Sequence, residues 1–159
     1  MKQLALLFVF VLMAASLSAQ TKSINLELFG SSGLAGINYD ARFKGNSGFG
    51  FSAGLGYGYA NSGVDFFDTK GNDGVTHSIG VPVEINYMFG KKNSHLVLGA
   101  GAYAGIAVNE AAKDPQFGGT LFADISYRYQ KPTGLTFAIG LKPNLSNVLW
   151  PYIGIGYSF

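Results

Sequence analysis

The feature that most constrains this chain is a period of two in its hydrophobic residues. In the last stretch, VLWPYIGIGYSF, Ile153, Ile155, Tyr157 and Phe159 fall on one parity, while Gly154, Gly156 and Ser158 fall on the other. Successive side chains of a strand point to opposite faces, so this is a strand with one apolar face and one small, polar face. The strand ends on a bare aromatic, so its edge is expected to pair with the first strand and close a barrel.

The same alternation recurs upstream. Eight runs carry it: Ser23 to Phe29, Gly33 to Phe43, Gly48 to Ala60, His77 to Gly90, His95 to Val108, Thr120 to Gln130, Leu135 to Asn144 and Val148 to Phe159. No stripe at helical spacing follows the first twenty residues. KGNS, GKKNS and KPTG separate runs two and three, four and five, and six and seven; these are tight-turn compositions. Longer connections lie at Asn61 to Thr76 and Asn109 to Gly119, whereas Gly30 to Ser32 is as short as a turn. An even number of strands with alternating short and long connections predicts an all-β fold, an eight-stranded antiparallel up-and-down transmembrane β-barrel.

Residue identity then says which face points outward. One parity carries Ile24, Leu26, Leu28, Ile37, Tyr39, Phe51, Leu55, Ile79, Val81, Val83, Ile85, Leu96, Leu98, Leu121, Ile125, Phe137 and Ile139, with no charge among them. The other carries Glu27, Asp40, Arg42, Glu84, Asp124, Arg128 and Lys142 among many glycines. A watery face would not be so poor in lysine. A narrow lumen explains both facts, because opposite charges pair there and glycine makes room for Tyr103, Phe122 and Tyr152. Phe43, Phe49, Tyr87, Phe89, Tyr127, Tyr129, Phe137, Tyr157 and Phe159 gather on the outward parity at the short-turn end, as an aromatic girdle at a membrane interface does. Tyr57, Tyr59 and Trp150 mark the other interface more thinly.

Composition agrees. Charged residues are 13% and glycines 23 of 159, about half and about twice the usual shares. The opening MKQLALLFVFVLMAASLSAQ reads as a signal peptide, residues 1–19, leaving roughly 140 residues from 20 to 159 for a single domain. Without Lys2 the formal charge falls from +2 to +1, which gives no reason to expect nucleic acid. The absence of cysteine excludes disulfides and a lipid anchor on cysteine.

The segment VPVEINYMFGKKNSHLVLGAG, Val81 to Gly101, and the ending WPYIGIGYSF resemble the OmpA/OmpX-like eight-stranded barrels of Gram-negative outer membranes. The resemblance implies an integral outer-membrane protein exported through the periplasm, an ending that serves as an assembly signal, and little about activity. Outer-membrane lipid and lipopolysaccharide, and a membrane-protein partner, are the expected contacts.

No chemistry stands out from the residues. The runs Gly54 to Gly58 and Gly99 to Gly101 lack the strand-to-helix turn of a phosphate loop. His77 and Ser78 are adjacent and therefore on opposite faces, and His95 lies by a turn, so neither histidine offers the pairing a hydrolase needs. Two distant histidines make a transition-metal site improbable, and Asp65, Asp68 and Asp73 do not match a calcium-loop spacing. No catalysis, metal or cofactor is expected. The seven lumen charges are expected to lock together and plug the barrel. Function is expected in the loops, through Asp65, Phe66, Phe67, Asp68, Phe117 and Trp150. The alternatives are a narrow pore or small-ligand transporter, and an accessory subunit of a larger membrane complex.

Overall fold

In a computed structural model the described residues, 21–61, 75–111, 115–145 and 150–159, form a closed antiparallel barrel of eight strands in sequence order. The strands are β1 Thr21–Phe29, β2 Ala35–Arg42, β3 Gly48–Asn61, β4 Val75–Lys91, β5 Ser94–Asn109, β6 Pro115–Gln130, β7 Gly134–Leu141 and β8 Pro151–Ser158. The expected leader and the loop residues Asp65, Phe66, Phe67 and Asp68 lie outside the described residues.

Closure runs through β1 and β8, from Ser23 opposite Ser158 to Phe29 opposite Tyr152. The backbone of Phe159 continues the seam, donating to the Lys22 carbonyl at 2.8 Å and accepting from its N–H at 3.2 Å. Every strand therefore has two neighbours, the condition for crossing hydrocarbon without stranded backbone groups. Two steps of the ladder are missing, at Pro82 and Val81: Pro82 pairs with Tyr103 on β5 but has no bridge to β3, where its absent N–H would have pointed. Pairing resumes at Gly56 opposite Gly80 in unchanged register.

The two faces separate as the alternation requires. Ile85, Leu121, Leu26 and Ile155 are more than half exposed on the outside, whereas Glu27, Asp40, Arg42, Glu84, Asp124, Arg128 and Lys142 are all buried within. An apolar belt around a charged centre is the reverse of a water-soluble domain, and it belongs in hydrocarbon. Girdle rings line its short-turn end; Phe49 and Tyr87 meet edge-to-face at 4.8 Å between centroids, and Tyr87 meets Phe89 at 4.4 Å. Phe51, expected in lipid, keeps the outward parity but is buried. Tyr39 and Phe43 cover it, with centroids 6.2 and 6.0 Å away.

Inside, glycine is spent on volume. A Cβ on Gly80 would overlap the Tyr103 ring, one on Gly30 would reach Tyr152 at 2.7 Å, and one on Gly101 would meet Phe122 at 2.5 Å. A small barrel has room for these aromatics only where a facing strand gives up its side chain.

The run boundaries need three corrections. β6 begins at Pro115, so the expected loop Asn109–Gly119 shrinks to residues 110–114 and Phe117 lies in a strand. β7 stops at Leu141 and β8 starts at Pro151, both shorter than their apolar runs, with Pro143 and Pro151, which lack an N–H for the ladder, at these ends. Strand lengths are consequently unequal: 14, 17, 16 and 16 residues for β3 to β6, against 9, 8, 8 and 8 for β1, β2, β7 and β8. The four long strands project past the short ones at the end opposite the tight turns.

Placing arginine at Ile85, mid-height on the outer face, is expected to cost about 2–4 kcal/mol of stability in a bilayer, and at Phe89 near the interface about 1 kcal/mol or less. Urea titration of the two variants in liposomes, read by the gel mobility of unheated samples, checks the difference.

The charged lumen and the projecting sheet as candidate sites

Four carboxylates and three cations point inward, and they sort into two groups along the axis. Near the tight turns, Arg42 grips Asp40 with both arms of its guanidinium, Nε to Oδ1 at 3.0 Å and Nη2 to Oδ2 at 2.6 Å. Arg128 reaches the same Oδ2 at 3.0 Å from the opposite wall. Residues two apart on one strand share a face, which is how β2 supplies both Asp40 and Arg42. A Cβ on Gly50 would overlap the Arg42 guanidinium, so the bare strand opposite is what admits it. His95 is buried beside this group, its Cα opposite that of Arg128.

Farther along, Lys142 lies between Glu27 at 2.6 Å and Glu84 at 3.6 Å. Its ammonium also sits 4.5 Å from the Tyr152 ring centroid and donates to Ser31 Oγ at 3.2 Å. Ser31 belongs to the 3-10 turn Gly30–Ser32, which is how the shortest connection at the long-strand end folds back over the lumen. Asp124 accepts from the Tyr152 hydroxyl at 3.2 and 3.3 Å. Asn38 Nδ2 donates to Glu27 at 3.2 Å and Asn86 Nδ2 to Glu84 at 2.7 Å. Removing charges from water is costly unless each finds partners, and here all seven have them.

Among the described residues the charged centre leaves little open space. Between the two groups remains a cavity of about 20 Å³, bounded by Glu27, Glu84, Arg128 and Lys142, which is the space of a single water. Asn46, in the β2–β3 turn, spans the mouth at the tight-turn end, donating to the Gln130 carbonyl at 3.0 Å and accepting from Gln130 Nε2 at 3.2 Å.

The projecting half differs in kind. The topmost β6–β7 pair is Ile125 opposite Leu141, followed by a bridge from Phe122 to Asn144 and a bond from Ala123 N–H to the Pro143 carbonyl. Beyond that, among the described residues, Pro115–Leu121 has a strand only on its β5 side. Because Ala123 N–H points toward β7, the backbone groups of Leu121, Gly119 and Phe117 point the same way, at an edge with no partner strand among the described residues; the Thr120 hydroxyl donates to the Leu121 carbonyl at 3.3 Å. Phe117 is 81% exposed there. Trp150, expected as an exposed contact, is half-buried, and its carbonyl accepts from Lys142 N–H at 2.7 Å; Leu145 in the same connection is 80% exposed.

His77 has partners that adjacency along the chain could not reveal. Its Nδ1 meets the Tyr57 hydroxyl at 2.7 Å from β3, and its Nε2 lies 3.4 Å from Glu110 at the end of β5. The cluster is exposed on the outer face, with Tyr59 packed edge-on against the imidazole at 5.6 Å, while Ser78 is buried on the lumen face. Sequence could flag the residue types but not the register that joins three strands.

No protein-family model and no curated protein sequence matches the chain. Among solved structures, the N-terminal β-barrel domain of Pseudomonas aeruginosa OprF aligns over 89% of this chain and 98% of its own, with TM-score 0.64 and 12% identity. The fold is that of the small outer-membrane barrels. Ail, the attachment invasion locus protein of Yersinia pestis, aligns over 87% of this chain and 95% of its own, with TM-score 0.43 and 14% identity. At such identities the likeness concerns backbone architecture; the side chains of the barrel have to be read on their own.

Replacing Lys142 by Met leaves Glu27 and Glu84 facing each other unpaired, and is expected to cost about 3–5 kcal/mol. Adding Glu27→Gln and Glu84→Gln to it is expected to recover most of that loss. Urea unfolding of the refolded variants, followed by tryptophan fluorescence, measures both.

Proposed function

We infer that this protein is an integral outer-membrane β-barrel, oriented with its tight turns in the periplasm, whose work is done by the part that stands outside the membrane. The observation that carries this reading is the contrast between a plugged lumen and an unfinished sheet. Charges, aromatics and the Asn46–Gln130 crossing fill the interior, so it offers no path. The four long strands carry Leu121, Gly119 and Phe117 past the Phe122–Asn144 bridge, Phe117 by roughly 17 Å of strand at about 3.3 Å per residue.

An open edge is a ready template for pairing, and proteins usually cover or charge it. Here it is neutral, glycine-rich and flanked by an exposed phenylalanine, which suits an extended segment of another protein added as a further strand. A second copy in the same membrane fits poorly. Its β6 strands would run the same way along the membrane normal, whereas continuing an antiparallel sheet requires opposite directions. A membrane-protein partner, with outer-membrane lipid and lipopolysaccharide around the belt, is the company this arrangement implies. The chain then acts as a binding or accessory module and not as a catalyst.

Phe117→Pro removes the ring and one edge donor while leaving the bonds to β5 intact. It is expected to abolish co-purification of the partner from native membranes in mild detergent while preserving the mobility shift between heated and unheated samples. Retention of the same partner by the variant would contradict the edge as the contact. Planar-bilayer recording of the refolded wild type is expected to show no steady conductance; a stable open level would favour the narrow-pore alternative.

A further inference from the structure

Charge along the barrel axis is segregated in a way the outer-membrane reading does not use. Lys22 at the start of β1, Lys44 in the β2–β3 turn, Lys91 and Lys92 in the β4–β5 hairpin and Lys131 after β6 ring the tight-turn end. The turns between them contain no Asp or Glu, and the side-chain carboxylate nearest to them, Asp40, is buried and held by two arginines. Among the described residues none of the five lysines forms an ion pair. In the sequence, the β3–β4 and β5–β6 connections carry the opposite balance: Asp65, Asp68, Asp73, Glu110 and Asp114 against Lys70 and Lys113.

Three of the rim lysines continue the outward parity past the girdle. Lys22 exchanges backbone bonds with Phe159, Lys91 follows Phe89 by two residues, and Lys131 follows Tyr129 by two. From there an apolar stem lies along the ring layer and the ammonium reaches the level of lipid phosphates. Lys92 is a second sign. It occupies the tip of a tight hairpin with φ 62°, where glycine or asparagine would be less strained.

We propose that the periplasmic rim is a binding surface for anionic phospholipid headgroups of the inner leaflet, the phosphatidylglycerol class, with Lys22, Lys44, Lys91, Lys92 and Lys131 as its phosphate contacts. The proposal rests on the outer-membrane orientation given above. Each lysine near an anionic membrane surface strengthens attraction roughly fivefold, and the five are spread over all three turns and the β8–β1 seam. The surface therefore acts as a ring of headgroup anchors, fixing the depth of the barrel in the membrane on one side only.

The test is native mass spectrometry of the refolded barrel in detergent, titrated with phosphatidylglycerol or with phosphatidylcholine of the same chains. Wild type is expected to retain phosphatidylglycerol at concentrations about tenfold lower. Lys→Gln at all five positions is expected to bring the two lipids to parity, and the Lys91→Gln/Lys92→Gln pair to reduce the preference partway. Inorganic phosphate at millimolar excess is expected not to displace the lipid. Equal retention of both lipids by wild type, survival of the preference in the five-site variant, full displacement by free phosphate, or capture of anionic peptidoglycan fragments in place of lipid would each overturn the proposal. The heated-against-unheated gel shift, run on each sample, separates the two levels. Its presence with no lipid preference sinks the rim alone, and its absence sinks the membrane barrel and the rim with it.

Discussion

A strand buried in hydrocarbon has nowhere to put an unpaired N–H or C=O, and the seam between β1 and β8 is where this chain meets that requirement. From Ser23 opposite Ser158 up to Phe29 opposite Tyr152, the first and last strands remove each other's edges. Closure fixes strand number, and strand number fixes the width of the interior. Most of what is unusual in the composition follows from that width. The interior must be filled, and its occupants must satisfy one another.

The filling is done by trading side chains between neighbouring strands. Tyr103 stands where Gly80 has no Cβ, Phe122 where Gly101 has none, and Arg42 where Gly50 has none. The charges are then held in a low-dielectric space whose geometry leaves little slack: one carboxylate between two guanidiniums at one level, one ammonium between two carboxylates at the other. Neither arrangement gains much over an apolar core, but losing the shared member, Asp40 or Lys142, strands two buried charges. The lumen is a lock against slippage, since a shift by one residue would turn Glu84 outward into lipid.

Much of this was legible in the sequence because alternation is a local signal. Parity assigned Leu26, Ile85 and Tyr157 to the outside and Glu27, Asp124 and Lys142 to the inside, and it ran correctly through Pro82, whose missing N–H costs one ladder bond and leaves the register intact. What escaped depends on neighbours. Phe51 has outward parity, but Tyr39 and Phe43 cover it. The glycines at 118 and 119 made the start of β6 look like a loop, although the pairing of Phe117 with Ile106 and of Pro115 with Val108 holds it in the sheet. The open edge was invisible for the same reason, since it exists only because β6 outruns β7. His77 found Tyr57 and Glu110 through a register that no spacing along the chain encodes.

The central claim is that hydrocarbon touches the Ile and Leu columns while the charged columns face one another. Paramagnetic broadening of methyl resonances by a spin label carried deep in the acyl chains of a nanodisc tests it directly. The account predicts strong broadening of Leu26, Ile37, Ile85, Ile125 and Ile139, with Val97, Met88 and Ala138 protected. Broadening of the second set in place of the first, or a chain that stays dissolved in buffer without the disc, would contradict it.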